Sequence, residues 1–462
     1  MVLNYIQHTD ITLRTLSPLH IGNGNKLSSV GDYLVTNHRV CYLDEKRLLI
    51  DLDKSGKTTA FTEKLRQFRS GFDFEKSLSE LGVSYTDYQT KEIPLNQFGL
   101  KVKNNNILYP CVRTQDAKTG ALRPYVPGST LKGLLRTAIV FKYFLDHPSE
   151  LSHLEDSVER RVEQAKNLRK ALSDLWQKIK SDILPEELFQ SIRLTDSKPF
   201  QETEEVIEYT RRQHFYGVDT EGLGWLSECV CPGVESSFDL TYLSGFRFDK
   251  LPKNPKYQKG AFKYLKSTNP RHIFSALNQH SKLLVEQEMD LLKQAPHAAS
   301  VRDKLLVQLA EYKALIDASD HSYAISRIGK GKTLFFITIL PLLSKSLQKK
   351  VLQRLLREGS DTIQSRVVTT VDPKLFGWIR LEKEIPPVPL PNNQVAEIIP
   401  EKTKLTVLVS GNKQVSFQLN SESFEGVQLI DPYKRKPREG EQITVTVWRL
   451  KKDDTINQVK YL

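Results

Sequence analysis

One turn and the helix after it carry the residue types that would bind a polyanion. Tyr125–Thr137 reads YVPGSTLKGLLRT, where Pro127 and Gly128 stop an apolar run and hand over to a basic, amphipathic helix. Ser129 or Thr130 is placed to cap that helix by accepting a hydrogen bond from an unpaired backbone N–H. The remaining N–H groups, the positive end of the helix dipole, and Lys132 and Arg136 one turn apart together make an anion site. Leu131, Leu134, Leu135, Ala138 and Ile139 form the stripe that anchors the helix to a core. The alternative for the same residues is a capped surface helix with two solvated cations.

Other segments offer further chemistry. Arg327, Gly329, Lys330, Gly331 and Lys332 form a loop whose glycines let backbone approach phosphates and whose lysines neutralise them. A β-turn with solvated lysines is its alternative, and the spacing is not that of a Walker A loop. His20, in the loop SPLHIGNGN from Ser17 to Asn25, is the candidate general base, because imidazole titrates near neutral pH. Asp196, between Thr195 and Ser197, is a candidate acid; for both residues a plain loop or turn role is the alternative. His214 with Cys229 and Cys231 is the candidate metal set, since cysteines two apart on a strand share a face. Cys41, Cys111, Cys229 and Cys231 contain no C-x-x-C knuckle, so buried free thiols are expected, with no metal and no cofactor.

The elements that position these residues follow from composition and periodicity. The 462 residues carry 67 Lys plus Arg against 55 Asp plus Glu, a net charge of +12, which favours nucleic acid as partner. A chain of this length is expected to form two or three domains. No apolar run approaches the ~20 residues of a membrane span, and the N-terminus lacks a secretory pattern. A cytoplasmic setting without a membrane partner is therefore expected. The periods predict an α+β fold. Residues 1–145 hold strands at Ile11–Leu16, Tyr33–Thr36 and Val40–Leu43, a helical stretch over 58–82, short strands over 92–113, and the helix of the opening motif. Residues 146–190 read as one or two exposed helices. Residues 191–385 read as a second α+β unit, interrupted by a leucine-periodic helical hairpin over 262–318 of the kind that mediates assembly. An amphipathic helix with Lys345, Lys349, Lys350, Arg354 and Arg357 follows. A proline-rich linker over 386–400 separates a tail, 401–462, with β runs that suit a small barrel or sandwich of the OB type. Such a tail binds single strands or, equally, contacts protein.

Three motifs in order, SPLHIGNGN, YVPGSTLKGLLRT and RIGKGK followed by an apolar run, resemble the RAMP superfamily of CRISPR-associated proteins. IRLTDS at 192–197 and FGWIRL at 376–381 further resemble the subunit that caps the far end of the type III-A Csm effector complex. The resemblance spans roughly residues 8–382. It implies two ferredoxin-like, RRM-related domains with helical insertions, placed before the small β tail. It also implies an RNA groove lined by His20, Asn23, Gly128, Ser129, Lys132, Arg136, Arg327, Gly329, Lys330, Gly331 and Lys332. The implied role is non-catalytic: gripping the 3′ part of CRISPR RNA beside the adjacent backbone RAMP subunit, and influencing RNA trimming through host nucleases. The loop where backbone subunits of such complexes carry a catalytic aspartate offers His20 and Asn23 here. The rivals are a RAMP endoribonuclease that processes precursor CRISPR RNA with His20 as base, and a structural adaptor that retains no RNA. Replacing Lys132 and Arg136 with alanine is expected to weaken RNA binding and flatten its dependence on salt, read by filter binding at several ionic strengths.

Overall fold

The computed structural model describes residues 6–36, 38–66, 73–96, 106–216, 224–243, 270–332, 338–356, 360–383, 404–411, 414–419, 422–430, 442–450 and 456–461. The strands are β1 (Ile6–Thr15), β2 (Leu27–Ser28), β3 (Tyr33–Thr36), β4 (Arg39–Leu43), β5 (Gln89–Pro94), β6 (Ile107–Tyr109), β7 (Arg113–Gln115), β8 (Leu122–Pro124), β9 (Ile192–Leu194), β10 (Glu205–His214), β11 (Gly224–Val230), β12 (Glu235–Leu243), β13 (Tyr323–Arg327), β14 (Ser365–Thr369) and β15 (Trp378–Lys383). The helices are α1 (Glu45–Lys54), α2 (Thr58–Arg66), α3 (Phe74–Glu80), α4 (Gly128–Asp146), α5 (Pro148–Gln164), α6 (Leu168–Ile183), α7 (Glu186–Phe189), α8 (Pro270–Lys293), α9 (Ala299–Asp317) and α10 (Lys345–Leu355). The fold is α+β, and the chain divides into two compact units, Met1–Glu384 and Ile385–Leu462.

The first unit is organised by a five-stranded antiparallel sheet in the order β13, β15, β1, β12, β9. Strand β1 lies in its middle, with Ile11 opposite Phe238 on one side and Lys383 on the other. Strands alternate their faces, so Ile11, Leu13, Phe238, Leu240 and Leu381 all turn inward. They bury against Leu131, Leu135 and Ala138 of α4 and Ile273, Phe274 and Leu277 of α8. In chain order the elements run β1, α4, β9, β12, α8, β15, and the lateral order of those strands is that of a βαββαβ ferredoxin-like unit, with β13 added at the edge.

This topology corrects two expectations. A boundary between residues 145 and 191 does not separate two successive sheets, because β1 pairs with β12 and β15 from the far side of it. The second five-stranded sheet, β14, β10, β11, β6, β2, also mixes strands from both sides. The leucine-rich segment over 270–317 is likewise no peripheral insertion. Helix α8 buries Ile273, Phe274, Leu277, Leu284 and Val285 as the second core helix, and α9 packs antiparallel beside it. Helices α5 and α6 are the appended layer, held on α4 by Leu154, Val158, Leu175 and Trp176. The lysines of α10 are matched by acids, Lys345 with Asp290 at 3.2 Å, Lys349 with Asp361 at 3.8 Å and Lys350 with Glu159 at 2.7 Å, while Arg354 donates to the Ala165 carbonyl at 2.8 Å. Residues 262–269, 333–337 and the linker 386–400 lie outside the described residues.

A three-stranded sheet, β3, β4, β5, buries Leu34, Leu43, Leu48, Phe61 and Leu78 with α1–α3 on one face. Its other face meets the second large sheet through Tyr33, Val40, Ile93, Leu108, Ile207 and Leu226. The second unit is a closed barrel of β16 (Lys404–Gly411), β17 (Gln414–Leu419), β18 (Glu422–Ile430), β19 (Gln442–Leu450) and β20 (Ile456–Tyr461), in the order β16, β17, β18, β20, β19. Val407, Val409, Val415, Val427, Ile443 and Val445 are buried in it. Among the described residues no helix is long and apolar enough to cross a membrane.

Helix α4 contains two glycines in opposite settings. A Cβ on Gly128 would stand 2.4 Å from the Leu194 carbonyl oxygen, whereas one on Gly133 would meet nothing within 4 Å. Gly128→Ala is therefore expected to destabilise the chain by about 1–3 kcal/mol. Gly133→Ala is expected to stabilise it by about 0.5–1 kcal/mol through helix propensity, and denaturant melts of the two variants check both signs.

Candidate nucleic-acid interface

The antiparallel pairing of the main sheet brings two of the three sequence motifs, SPLHIGNGN and RIGKGK, to one of its ends. Strand β1 ends at Thr15, β13 ends at Arg327, β15 begins at Trp378, β12 begins at Glu235 and β9 ends at Leu194. Their pairing, Thr15 with Ile379, Arg327 with Trp378 and Arg14 with Glu235, puts the termini of β1, β13, β15 and β12 at the same end, whereas β9 stops short of it, with Leu194 opposite Leu240. The loops at that end form a rim about three strand spacings wide, roughly 14 Å.

At the β13 side three segments interlock through backbone. Lys330 N–H donates to the His20 carbonyl at 2.9 Å, Ile328 N–H to Gly377 at 2.8 Å and Gly377 N–H to Pro18 at 2.9 Å. Gly329 has φ +70°, and a Cβ there would lie 2.3 Å from the His20 carbonyl oxygen, so only glycine fits the junction. Arg327 is buried inside it, donating from Nε to the Phe376 carbonyl at 2.7 Å and from Nη2 to the Gly331 carbonyl at 3.0 Å. Its role is therefore to hold the loop. Gly331, at φ +81°, and half-buried Lys332 complete the turn.

His20 is 4% exposed, and its Nδ1 donates to the Glu228 carbonyl at 2.6 Å. Burial, with the Lys330 ammonium adding to it, pulls its pKa down to about 4, so the ring is neutral at pH 7. Lys330 reaches over the second large sheet. Its Nζ donates to Ser227 Oγ at 2.7 Å and lies 4.3 Å from the Tyr109 ring centroid and 5.1 Å from that of Trp225. Lys26 adds a second ammonium 6.0 Å from the Tyr109 ring. Exposed Asn23 ties its loop to the strand end by donating its N–H to the Pro110 carbonyl at 3.3 Å. The sequence pointed to His20, Asn23 and Lys330 but not to Lys26, Tyr109, Trp225 or Ser227. An aromatic at the end of an apolar strand reads as core, and only the lysine crossing from another loop marks it as a surface feature.

At the β9 side the opening motif is arranged differently from the sequence reading. Pro127 occupies the N-cap and neither Ser129 nor Thr130 caps with its side chain. Asp196 does, accepting the Gly128 N–H at 2.8 Å from 68 residues away in sequence. A carboxylate of the chain itself thus fills the position at the helix N-terminus where an external anion was expected. Ser129 is exposed. Arg136 pairs with Glu186 at 3.0 Å and donates to the Leu184 carbonyl at 3.2 Å, so its guanidinium fastens α7 to α4. Lys132 Nζ sits 5.1 Å from the Phe189 ring centroid. The two halves of the expected groove therefore lie toward opposite edges of the sheet, with the α4 N-terminus beside Leu194 and Thr195, short of the rim.

The candidate metal set is pulled apart. Cys229 pairs with Val206, while His214 lies eight residues farther along β10, about 26 Å away at strand rise. All four cysteines are free thiols, and burial raises the pKa of Cys231 to about 11.

The RAMP superfamily model matches residues 12–295, more than half of the chain. The chain belongs to the RAMP superfamily. A Methanocaldococcus jannaschii protein described as "CRISPR system Cms protein Csm5" is 24% identical over 353 residues, covering 73% of this chain and 74% of that protein. A Mycobacterium tuberculosis protein of the same description is 26% identical over 257 residues, covering 50% of this chain and 66% of the relative, so the match spans just under two thirds of its length. Two solved structures share the fold. A chain of the cryo-EM Csm–crRNA–target RNA ternary complex of a type III-A CRISPR-Cas system has TM-score 0.57 at 19% identity, over 81% of this chain and 100% of that chain. The crystal structure of T. onnurineus Csm5 has TM-score 0.50 at 18% identity, over 80% and 99%.

Two buried histidines link this architecture to pH. His280 on α8 is 3% exposed, packs its ring 4.5 Å from that of Phe141, and has no hydrogen-bond partner for either nitrogen among the described residues. Burial, with Lys332 nearby, lowers its pKa to about 3. Both folded-state values lie below the unfolded value of 6.5, so the unfolded chain takes up protons that the folded chain refuses. Stability contributed by His20 and His280 is present above pH 6.5 and lost as pH falls toward 4 and 3, by about 1.4 kcal/mol per pH unit for each. Glu208, raised to about 7 by burial, acts in the opposite sense over pH 4.5–7. His280→Leu is expected to remove one histidine's share and so lose less stability than the parent between pH 6.5 and 5, measured by denaturant unfolding.

Proposed function

We propose that the chain is a non-catalytic CRISPR RNA-binding subunit of a type III-A Csm interference complex. In this reading it holds the 3′ part of the RNA, ends the filament of backbone RAMP subunits, contacts other Csm subunits, and influences RNA maturation in cytoplasmic antiviral defence, with host nucleases as further partners. The observation that carries it is the interlocking of the His20–Asn25 loop with the 327–332 loop at one end of the main sheet. Membership of the RAMP superfamily and likeness to proteins described as Csm5 support the same assignment. Contacts through lysines and backbone suit a protein that must accept any RNA sequence, because phosphate contacts position a strand without reading it.

The chemistry of the rim favours holding over cutting. A general base must reach the hydroxyl it deprotonates, but His20 is buried, with its Nδ1 engaged by a backbone carbonyl. The Asp196 carboxylate is engaged by Gly128. We assign the barrel to the OB type on its strand order, with a parallel β18–β20 pair, as a second single-strand contact.

Purified full chain is expected to retain CRISPR RNA on filters at physiological salt. Lys26→Ala is expected to weaken that binding and lower the slope of log affinity against log salt by about one. Precursor RNA incubated without divalent metal is expected to stay intact. Specific cleavage that vanishes in His20→Ala would replace this reading with the endoribonuclease, and absence of RNA retention would replace it with the structural adaptor.

A further inference from the structure

Among the lysines near the rim, Lys26 and Lys330 have no carboxylate partner among the described residues, in contrast to the matched lysines of α10. Instead they converge on Tyr109, with Nζ atoms 6.0 and 4.3 Å from its ring centroid. The ring beside it belongs to Trp225, 6.3 Å away at 75°. The pair is built into the sheet. Strands β6 and β11 run parallel with Tyr109 opposite Ser227, so Trp225, two residues earlier, projects from the same face. Both rings are half-buried, which leaves part of each at the surface. The exposed Asn23–Asn25 turn borders Tyr109 through the Asn23 to Pro110 hydrogen bond.

Unneutralised ammonium groups beside aromatic faces match one ligand chemistry, a nucleotide, whose phosphate meets the charge while its base meets the ring. We propose that Tyr109 and Trp225, flanked by Lys26 and Lys330, form a stacking step for an unpaired nucleobase of the bound RNA strand. The step deepens the proposed RNA-binding role and rests on it. A stacked base must be free of its complementary strand, so this site makes the grip selective for single-stranded RNA at one nucleotide while remaining indifferent to which base arrives. Burial lowers the Lys330 pKa to about 8, which leaves the group mostly charged at pH 7.

The test compares the full-length parent with Tyr109→Leu, Tyr109→Phe and Trp225→Phe. The probes are a fluorescent single-stranded RNA, the same RNA annealed to its complement, and free AMP as competitor. Tyr109→Leu is expected to weaken single-strand binding about tenfold or more, with an unchanged salt slope and unchanged duplex binding. Tyr109→Phe keeps the ring and is expected to bind as the parent does. Parent tryptophan fluorescence is expected to be quenched by the single strand, with the change largely lost in Trp225→Phe, a readout that survives if the leucine variant folds poorly. Equal single-strand affinity of parent and Tyr109→Leu, or a quench that persists in Trp225→Phe, overturns the stacking step while leaving RNA binding in place. Displacement of the RNA by micromolar AMP would assign the site to a mononucleotide and also overturn it. A parent that binds no RNA overturns the proposed function itself.

Discussion

A single buried carboxylate constrains the half of the molecule beside the rim. Glu228, 1% exposed on β11, accepts hydrogen bonds from Lys91 Nζ at 2.9 Å, Arg113 at 3.2 Å, the Cys111 N–H at 2.7 Å and the Tyr42 hydroxyl. Burial alone would raise its pKa, but Lys91, Arg113 and the Tyr42 hydrogen bond outweigh this and hold it below the usual carboxylate value. Arg113 also pairs with Glu205, so two acids and two bases balance in one cluster. Removing one member of such a buried set typically costs about 3–5 kcal/mol, because the rest are left uncompensated. The members come from β4, β5, the segment after β6, β7, β10 and β11. The cluster therefore fixes how the three-stranded sheet meets the larger one, and the carbonyl of the same Glu228 sets the ring of His20.

The rim inherits its rigidity from that cluster and from a second buried pair, Arg366 on β14 with Glu288 on α8, each 1% exposed. Between them the three-stranded sheet, the second large sheet and core helix α8 are joined by charge as well as by apolar contact. Lys330 spans the same boundary in miniature, leaving the end of β13 and resting on Ser227 and two rings of the other sheet. The positive charge of the chain is thus divided. The lysines of α10 hold helices together, while Lys26 and Lys330 face the rim beside Tyr109.

Local pattern made much of this legible. Alternation located β1, β3, β4, β9 and the barrel strands β17 and β19, and the 3.6-residue period located α4 and α10. Glycine and lysine spacing marked the loops of the rim. Long-range pairing was not legible, because nothing in the period of β1 says that its neighbours lie beyond residues 234 and 377. Leucine periodicity in α8 is the same for a core helix as for an exposed hairpin. Strand β18 was hidden by the Glu and Gly residues that break its apolar alternation. The Asp196 cap and the Arg136 to Glu186 pair join residues tens of positions apart, and Glu228 stands alone among apolar neighbours in WLSECV. In each case the decisive partner was remote, and a local window carries no trace of it.

The interleaved sheet also dictates a schedule. Strand β1 is made first, yet its partner β15 closes the sheet at Lys383, with Ile11 opposite that residue. At a translation rate of about 5–20 residues per second, roughly 20–70 s pass between the emergence of the two strands. Throughout that interval one edge of β1 is open to any passing strand, a hazard for a nascent chain. The rim, which needs residues 17–25, 327–332 and 376–377 together, is among the last parts of the first unit that can form. A ribosome-bound chain therefore has no assembled rim until its first unit is essentially complete, a delay set by topology alone.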